Sequence, residues 1–392
     1  MVARSGDRQA TDMAQRCRLE ALGALPETAK IARPEKSCIL IDWLLSRSCL
    51  MTRRSLASFF TLPAAWAWQA RAQAPPADDL TTIDSDGTAH ITRIVPVPKT
   101  ISAEAHALMV SGKRWTPEPG TKQAADFAEK LHATFPVEIT ETTLAGVACK
   151  VVIPKRTVPQ KQDRVLICLH GGGFTSDSGS VLESATIAAL TGIRVIAVEY
   201  RLAPQYPFPA AVDDTVVVYK HALKEYAPKK VGVYGTSAGA VLSAQMAVES
   251  RRLGLPLPAV LGFFSGYVDL ARYGDSRFLY GTSGFTNFSA MLPALKGLGM
   301  VPYVGDHDRR DPVLSPMYAD LKGFPPTLCM TSTRDHCLSG TVDFHRALLR
   351  ASVNARLIVF DAMPHAFWYL FDLPESREAL EAQADFLGRH LG

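Results

Sequence analysis

Ser237 stands at the centre of Gly235-Thr-Ser-Ala-Gly239. An apolar run, Val231–Tyr234, precedes it, and an apolar helical pattern follows from Val241 through Met246 to Leu253. G-x-S-x-G between a strand and a helix is the signature of a nucleophile elbow. So sharp a turn strains the serine backbone, and small residues at Gly235, Gly239 and Ala240 relieve the crowding. The serine oxygen is thereby exposed beside a helix N-terminus, which favours negative charge. A serine hydroxyl is a weak nucleophile at neutral pH. It needs a base, an acid to orient the base, and donors for a developing oxyanion.

His170-Gly-Gly-Gly-Phe174 directly follows the apolar run Val165–Leu169. Consecutive glycines let backbone amides point into a cavity with no side chain in the way, so this turn is the expected source of oxyanion donors. The base should be a histidine near the C-terminus. His90, His106, His132, His221, His307, His345 and His390 lie in polar or helical contexts, and His336 follows an acid directly and reads as unable to turn back to it. His365, in Asp361-Ala-Met-Pro-His-Ala-Phe367, follows the last apolar strand and suits the role. The acid should follow the preceding strand, where Thr331-Ser-Thr-Arg-Asp335 supplies Asp335. Asp311 and Asp361 are rivals that fit less well: Asp311 precedes that strand, and Asp361 lies beside the histidine loop.

These residues must be positioned by elements of alternating type. Val137–Thr142 and Val147–Ile153 read as an edge hairpin. Val165–Leu169, Arg194–Val198, Val231–Tyr234, Ala259–Phe264, Leu328–Met330 and Leu357–Phe360 read as further strands. Helical patterns fall near Val181–Thr191, Ala210–Glu225, Val241–Leu253, Thr341–Ala351 and Arg377–Leu387. Continuous apolar strands alternating with helices imply an α/β protein with a mostly parallel sheet covered on both faces. Two weakly helical stretches, Ala103–Met109 and Lys122–Ala133, precede the first strand. The aromatic segment 270–304, with Tyr273, Phe278, Tyr280, Phe285, Phe288 and Met291, breaks the alternation. Residues 99–135 and 270–304 are therefore expected to form a cap over the 99–392 domain, with extra core packing as the plainer alternative for the aromatic segment.

The N-terminal part differs in kind. Residues 1–50 are Arg-rich and carry Cys17, Cys38 and Cys49 without zinc-type spacing. They read as poorly structured sequence or as a reading frame extended upstream of Met51. Residues 51–72 begin with Arg53-Arg54, continue with a short apolar stretch and end in Ala70-Arg-Ala72, the layout of a twin-arginine-like export signal. That stretch is too short to span a membrane, so a periplasmic or secreted location without a stable membrane anchor is expected, with a cytoplasmic one as the alternative. Residues 73–98 read as linker. The net charge of +4 over 392 residues comes from this leader, because the first 72 residues carry eleven basic and six acidic side chains. Without blocks of like charge, a nucleic-acid partner is not expected. Cys149, Cys168, Cys329 and Cys337 sit mostly in strand contexts and read as buried thiols. A Cys329–Cys337 bridge after export remains an alternative.

Taken together, HGGGF at 170–174, YRLAP at 200–204, FPAAVDD at 208–214, GTSAGA at 235–240, DPVLSP at 311–316, TSTRD at 331–335 and MPHAF at 363–367 resemble the hormone-sensitive-lipase-like α/β-hydrolases. This is bacterial esterase family IV, and Thr236 marks the GTSAG branch. The resemblance runs from about residue 100 to the C-terminus. It implies an eight-stranded α/β-hydrolase fold with a helical cap, and a serine carboxylesterase acting on small-molecule esters without cofactor or metal. It implies Ser237 as nucleophile, His365 as base, Asp335 as acid, and the amides of Gly172, Gly173 and Ala238 as oxyanion donors. It also implies an ion pair from Arg201 to Asp213 or Asp214 bracing the oxyanion loop. His336-Cys337 departs from the family, whose members are usually apolar there. A lactone hydrolase or small-molecule deacetylase would use the same machinery. A non-catalytic ligand receptor is a remote alternative that His365 disfavours. A homodimer through the last strand is open by analogy.

Overall fold

The computed structural model describes residues 80–92, 96–111, 117, 120–156, 161–280 and 301–391. The expected export signal at 51–72, the stretch before it, and Phe285, Phe288 and Met291 lie outside the described residues. Residues 1–93 and 94–392 form two units. In the first, β1 (Leu80–Ile83) and β2 (Ala89–Thr92) pair antiparallel within the stretch read as linker.

The second unit holds α1 (Ala103–Ser111), α2 (Lys122–Thr134), β3 (Val137–Leu144), β4 (Val147–Pro154), β5 (Val165–Leu169), α3 (Ser180–Thr191), β6 (Arg194–Val198), α4 (Ala210–Glu225), β7 (Val231–Thr236), α5 (Ala238–Arg252) and β8 (Val260–Phe264). After these come α6 (Asp275–Tyr280), α7 (Val301–Val304), β9 (Thr327–Arg334), α8 (Leu338–Arg350), β10 (Ala355–Pro364) and α9 (Pro374–Arg389). Eight strands form one sheet in the order β10-β9-β8-β7-β5-β6-β4-β3. The β3–β4 and β4–β6 pairs are antiparallel, and the other five pairs are parallel.

Every residue of β5, β7 and β8 is buried. Side chains alternate between faces along a strand. Val165, Ile167 and Leu169 accordingly join one core, with Val216 of α4, Val241 of α5 and Phe344 of α8. Leu166 and Cys168 join the other, with Ala185 of α3 and Leu380 of α9. Burying a Val, Leu or Ile side chain fully contributes about 1.5–3 kcal/mol, which explains the unbroken apolar runs. Helices on both faces of a mostly parallel sheet are what the alternation predicted. Cys168 and Cys329 are separated by β7 and β8, and Cys149, Cys168, Cys329 and Cys337 are all free buried thiols, so the alternative Cys329–Cys337 bridge is not formed. No helix among the described residues is long and apolar enough to cross a membrane.

Residues 96–135 are tied to the chain that follows His365. Phe127 and Phe135 pack on Phe371 at 5.1 and 5.7 Å between ring centres, and Lys130 pairs with Asp372 at 2.8 Å. Ser102 N–H and Oγ donate to Glu375 at 2.5 and 2.9 Å.

Candidate active site

Sheet register brings the sequence-predicted residues together. Leu169 of β5 lies opposite Gly235 of β7, and Thr236 lies opposite Phe264 of β8. Arg334 of β9 lies opposite Pro364 of β10. One step beyond the last two pairs, Ser237, Ser265, Asp335 and His365 emerge at the same rim, and Gly171 joins them two steps beyond Leu169. These are the carboxyl ends of parallel strands, where open α/β sheets place their ligands.

Ser237 has φ 58° and ψ −118°, a conformation few L-residues adopt. Its N–H donates to Phe264 O at 2.8 Å, and its C=O accepts from Val241 N at 3.2 Å. The turn closes so tightly on β5 that a Cβ on Gly239 would lie 1.7 Å from Leu169 O, and one on Gly235 would lie 2.4 Å from the same atom. The GxSxG spacing is therefore a packing requirement as well as a chemical one.

The glycine loop approaches Ser237 from the β5 side. A Cβ on Gly171 would sit 3.3 Å from Ser237 Cβ and 3.1 Å from Thr236 O. Gly172 has φ +115°, and a Cβ there would lie 2.0 Å from Ser176 O. None of the hydrogen bonds among the described residues uses the N–H of Gly172, Gly173 or Ala238. His170 is buried and stacks on Tyr200 at 4.2 Å, while Tyr200 Oη donates to His170 O at 2.7 Å. Burial lowers the His170 pKa, so this ring is a neutral packing element. Of the two carboxylates left open by the sequence, Arg201 takes Asp214. Its backbone N–H donates at 2.8 Å and Nε at 3.0 Å. Ala203 N–H then donates to Phe174 O at 2.8 Å, which ties that loop to the glycine loop.

Asp335 and His365 meet directly, with Nδ1 to Oδ1 at 2.8 Å. Asp335 is fully buried. Its Oδ1 also accepts from Cys337 N at 2.8 Å, and Oδ2 accepts from Thr331 Oγ1 at 2.8 Å and from the Ser265 hydroxyl. Burial pushes the Asp335 pKa up, but the charge and hydrogen bond of His365, with His336 and Ser265, outweigh it and hold the group below the usual carboxylate range. An ionised Asp335 can only accept, so His365 Nδ1 carries a proton, and Nε2 bears the lone pair in the neutral ring. The rival acids are engaged elsewhere. Asp311 accepts from Val313 N and Leu314 N at 2.7 and 3.1 Å. Asp361 accepts from Thr100 and Thr333 at 2.5 and 3.1 Å.

Residues 166–369 match a protein family described as having the alpha/beta hydrolase fold. The chain belongs to the α/β-hydrolases. Within them it falls with the hormone-sensitive-lipase-like esterases. A solved esterase of the bacterial hormone-sensitive lipase family shares 29% identity at a TM-score of 0.63, covering 74% of this chain and 99% of that one. The solved esterase E25 shares 27% identity at a TM-score of 0.66, covering 78% and 100%. An acetyl-hydrolase of Streptomyces hygroscopicus is 32% identical over 237 residues, which are 58% of this chain and 77% of that protein. The hydrolase is thus a carboxylic-ester hydrolase.

Several residues of the hydrolase were not singled out by motif. His336 does turn back, contrary to the sequence reading. Its Nδ1 lies 3.6 Å from Asp335 Oδ1, and its ring packs 4.3 Å from that of His365. The start of α8 bends the chain there, because Cys337 N–H is held by Asp335 itself. Burial, then the neighbouring His365, lowers the His336 pKa to about 3, so it adds no positive charge beside His365. Asp335, His336, Cys337 and His365 place donor atoms within 4.8 Å of one another. A metal ion there would have to displace the proton shared by Asp335 and His365. Ser265, at φ 55°, and Thr331 complete the Asp335 cradle. Ser265 directly follows β8 and Thr331, within β9, opens the TSTRD run, but a lone Ser or Thr does not by itself signal a role.

Proposed function

We propose that the hydrolase cleaves small to medium acyl esters through a Ser237–His365–Asp335 triad and an acyl-enzyme intermediate. Ser237 Oγ attacks the ester carbonyl carbon while its proton passes to His365 Nε2. The carbonyl oxygen becomes an oxyanion held by the amides of Gly172, Gly173 and Ala238. Asp335 holds the imidazole in the required tautomer and offsets the charge of the imidazolium. Collapse of the intermediate expels the alcohol, which takes the proton from His365. Water then attacks the acyl carbon, giving its proton to His365. Breaking the acyl–Ser237 bond releases the carboxylic acid, and the proton returns to Ser237. The observation that carries this reading is the 2.8 Å contact between a buried carboxylate and His365, at the sheet rim that also carries the strained elbow serine.

The name of the Streptomyces relative favours short acyl groups, acetyl among them. The test is turnover of p-nitrophenyl acetate, butyrate and decanoate alongside simple lactones, with Ser237→Ala as control. Loss of all ester hydrolysis in Ser237→Ala is expected, and activity equal to the unsubstituted enzyme would sink the mechanism. A marked preference for lactones would replace the substrate class. The paired arginines at 53–54 also support export, and a mature N-terminus at Met1 would exclude cleavage there.

A further inference from the structure

The mechanism above makes no use of Glu183, a carboxylic acid on α3 that is only 3% exposed. It lies under the glycine loop. Glu183 Oε1 accepts from Gly171 N at 3.4 Å, a long contact, and from the Tyr369 hydroxyl. Gly171 opens the oxyanion loop, and Tyr369 follows His365 by four residues. The hydroxyl of Thr236, the residue before Ser237, faces the same carboxyl and accepts from Trp368 Nε1 at 3.3 Å. Tyr234 Oη donates to the Glu183 carbonyl at 3.1 Å, which anchors α3 to the elbow strand. Oε2 has no hydrogen-bond partner among the described residues, so Thr236 acts on it as a nearby dipole.

We propose that Glu183 is a positioning residue, gathering the oxyanion loop, the nucleophile elbow and the histidine loop around one carboxyl. This rests on the serine mechanism proposed above. Gly171 is the lever. Its amide touches Glu183, a Cβ added to it would come within 3.3 Å of Ser237 Cβ, and the next two amides are the oxyanion donors. A shift of Gly171 therefore moves the donors relative to the serine, and misplacement of about 1 Å can cost about a hundred-fold in rate.

The protonation state of Glu183 follows from its surroundings. Burial raises its pKa to about 8, against the hydrogen bonds of Tyr369, Thr236 and Gly171, and Asp177 pushes in the same direction as burial. Cys168, Tyr200, Tyr234 and Tyr369 are the other titratable groups facing it, and each is pushed above its ordinary value by burial. His170, held neutral by burial, lies 3.8 Å from the Asp177 carboxylate. Glu183 is thus uncharged at neutral pH. Ionisation above about pH 8 would put a negative charge beneath the loop that must receive an oxyanion.

The experiment measures kcat and KM on p-nitrophenyl acetate from pH 6 to 9.5 for the unsubstituted enzyme, Glu183→Gln, Glu183→Ala and Tyr369→Phe, with circular dichroism as the check on folding. Glu183→Ala should lower kcat about 10- to 100-fold with KM changed less than about three-fold. Glu183→Gln, which keeps the acceptor oxygen and cannot ionise, should recover most of that loss. It should also abolish an alkaline fall in kcat seen in the unsubstituted enzyme. Should Glu183→Ala fail to fold, the Glu183→Gln pH profile decides. Folded variants with unchanged kcat, or a Glu183→Gln profile with the same alkaline fall, would overturn the proposal. An inert Ser237→Ala beside such variants would leave the serine mechanism standing. An active Ser237→Ala would remove that mechanism instead.

Discussion

Asp335→Asn isolates charge from geometry in the Asp335–His365 pair. The direction in which the new amide must point can be read from its neighbours. On the Oδ1 side sit Cys337 N–H, which can only donate, and His365 Nδ1. On the Oδ2 side sit the hydroxyls of Ser265 and Thr331, which can rotate to accept. The amide carbonyl therefore takes the Oδ1 position, and the NH2 turns to the hydroxyls. His365 keeps its tautomer and its hydrogen bond, and only the charge is lost. At an effective dielectric constant of about 20 and a separation of about 4 Å, that charge is worth about 4 kcal/mol to the imidazolium formed in the transition state. The expected effect is about a 10³-fold fall in kcat. Turning the amide NH2 toward the imidazole would cost about 10⁴. The assay is kcat on p-nitrophenyl acetate with thermal unfolding alongside. Asp335→Ala should also lose stability, because it strands Cys337 N–H and two hydroxyls, at about 1–3 kcal/mol for each unsatisfied group. A kcat for Asp335→Asn within ten-fold of the unsubstituted enzyme would refute the reasoning, as would an equal loss from Asp311→Asn or Asp361→Asn.

Gly239→Ala should destabilise the fold by more than about 3 kcal/mol, because its methyl would meet Leu169 O at 1.7 Å and neither backbone can yield. A urea midpoint equal to that of the unsubstituted protein would contradict this. Asp214→Ala should cost about 1–3 kcal/mol and lower kcat by loosening the brace on the glycine loop, checked by thermal unfolding and ester turnover. Glu183 holds a proton in the folded state that the unfolded chain releases near its ordinary pKa of 4.5, so its contribution to stability falls as pH rises from about 4.5 to about 8. The slope is at most about 1.4 kcal/mol per pH unit, and Glu183→Gln should lack it; urea titrations at pH 5 and 8 that show the same difference between the two proteins would exclude the shift. Asp335 acts with the opposite sign. Its stabilisation is complete above the ordinary value of 3.8 and is lost as pH falls below it, and Asp335→Asn should show no such loss on acidification.

The sequence alone determined the order of strands and helices, because runs buried on both faces must be apolar throughout and the helices between them carry one apolar side. It also singled out Ser237, Asp335 and His365, since each is the chemically competent residue in the turn that follows an apolar strand, and strand ends in a parallel sheet share one rim. That each lies one step beyond its strand is known only from the structure. Neighbours across strands were not legible. The choice of Asp214 over Asp213, the return of His336 onto Asp335, and the Ser265 and Thr331 cradle all depend on register between segments far apart in the chain. Glu183 was the least legible of all. It sits in a helix whose local pattern gives no reason for a carboxyl, and its meaning arises only where β5, β7 and the loop after β10 converge. Local sequence carries a residue's propensity and its phase within an element. Which groups share a carboxyl or a tight turn is a property of the packed sheet, because those contacts form only when all of its strands are in register.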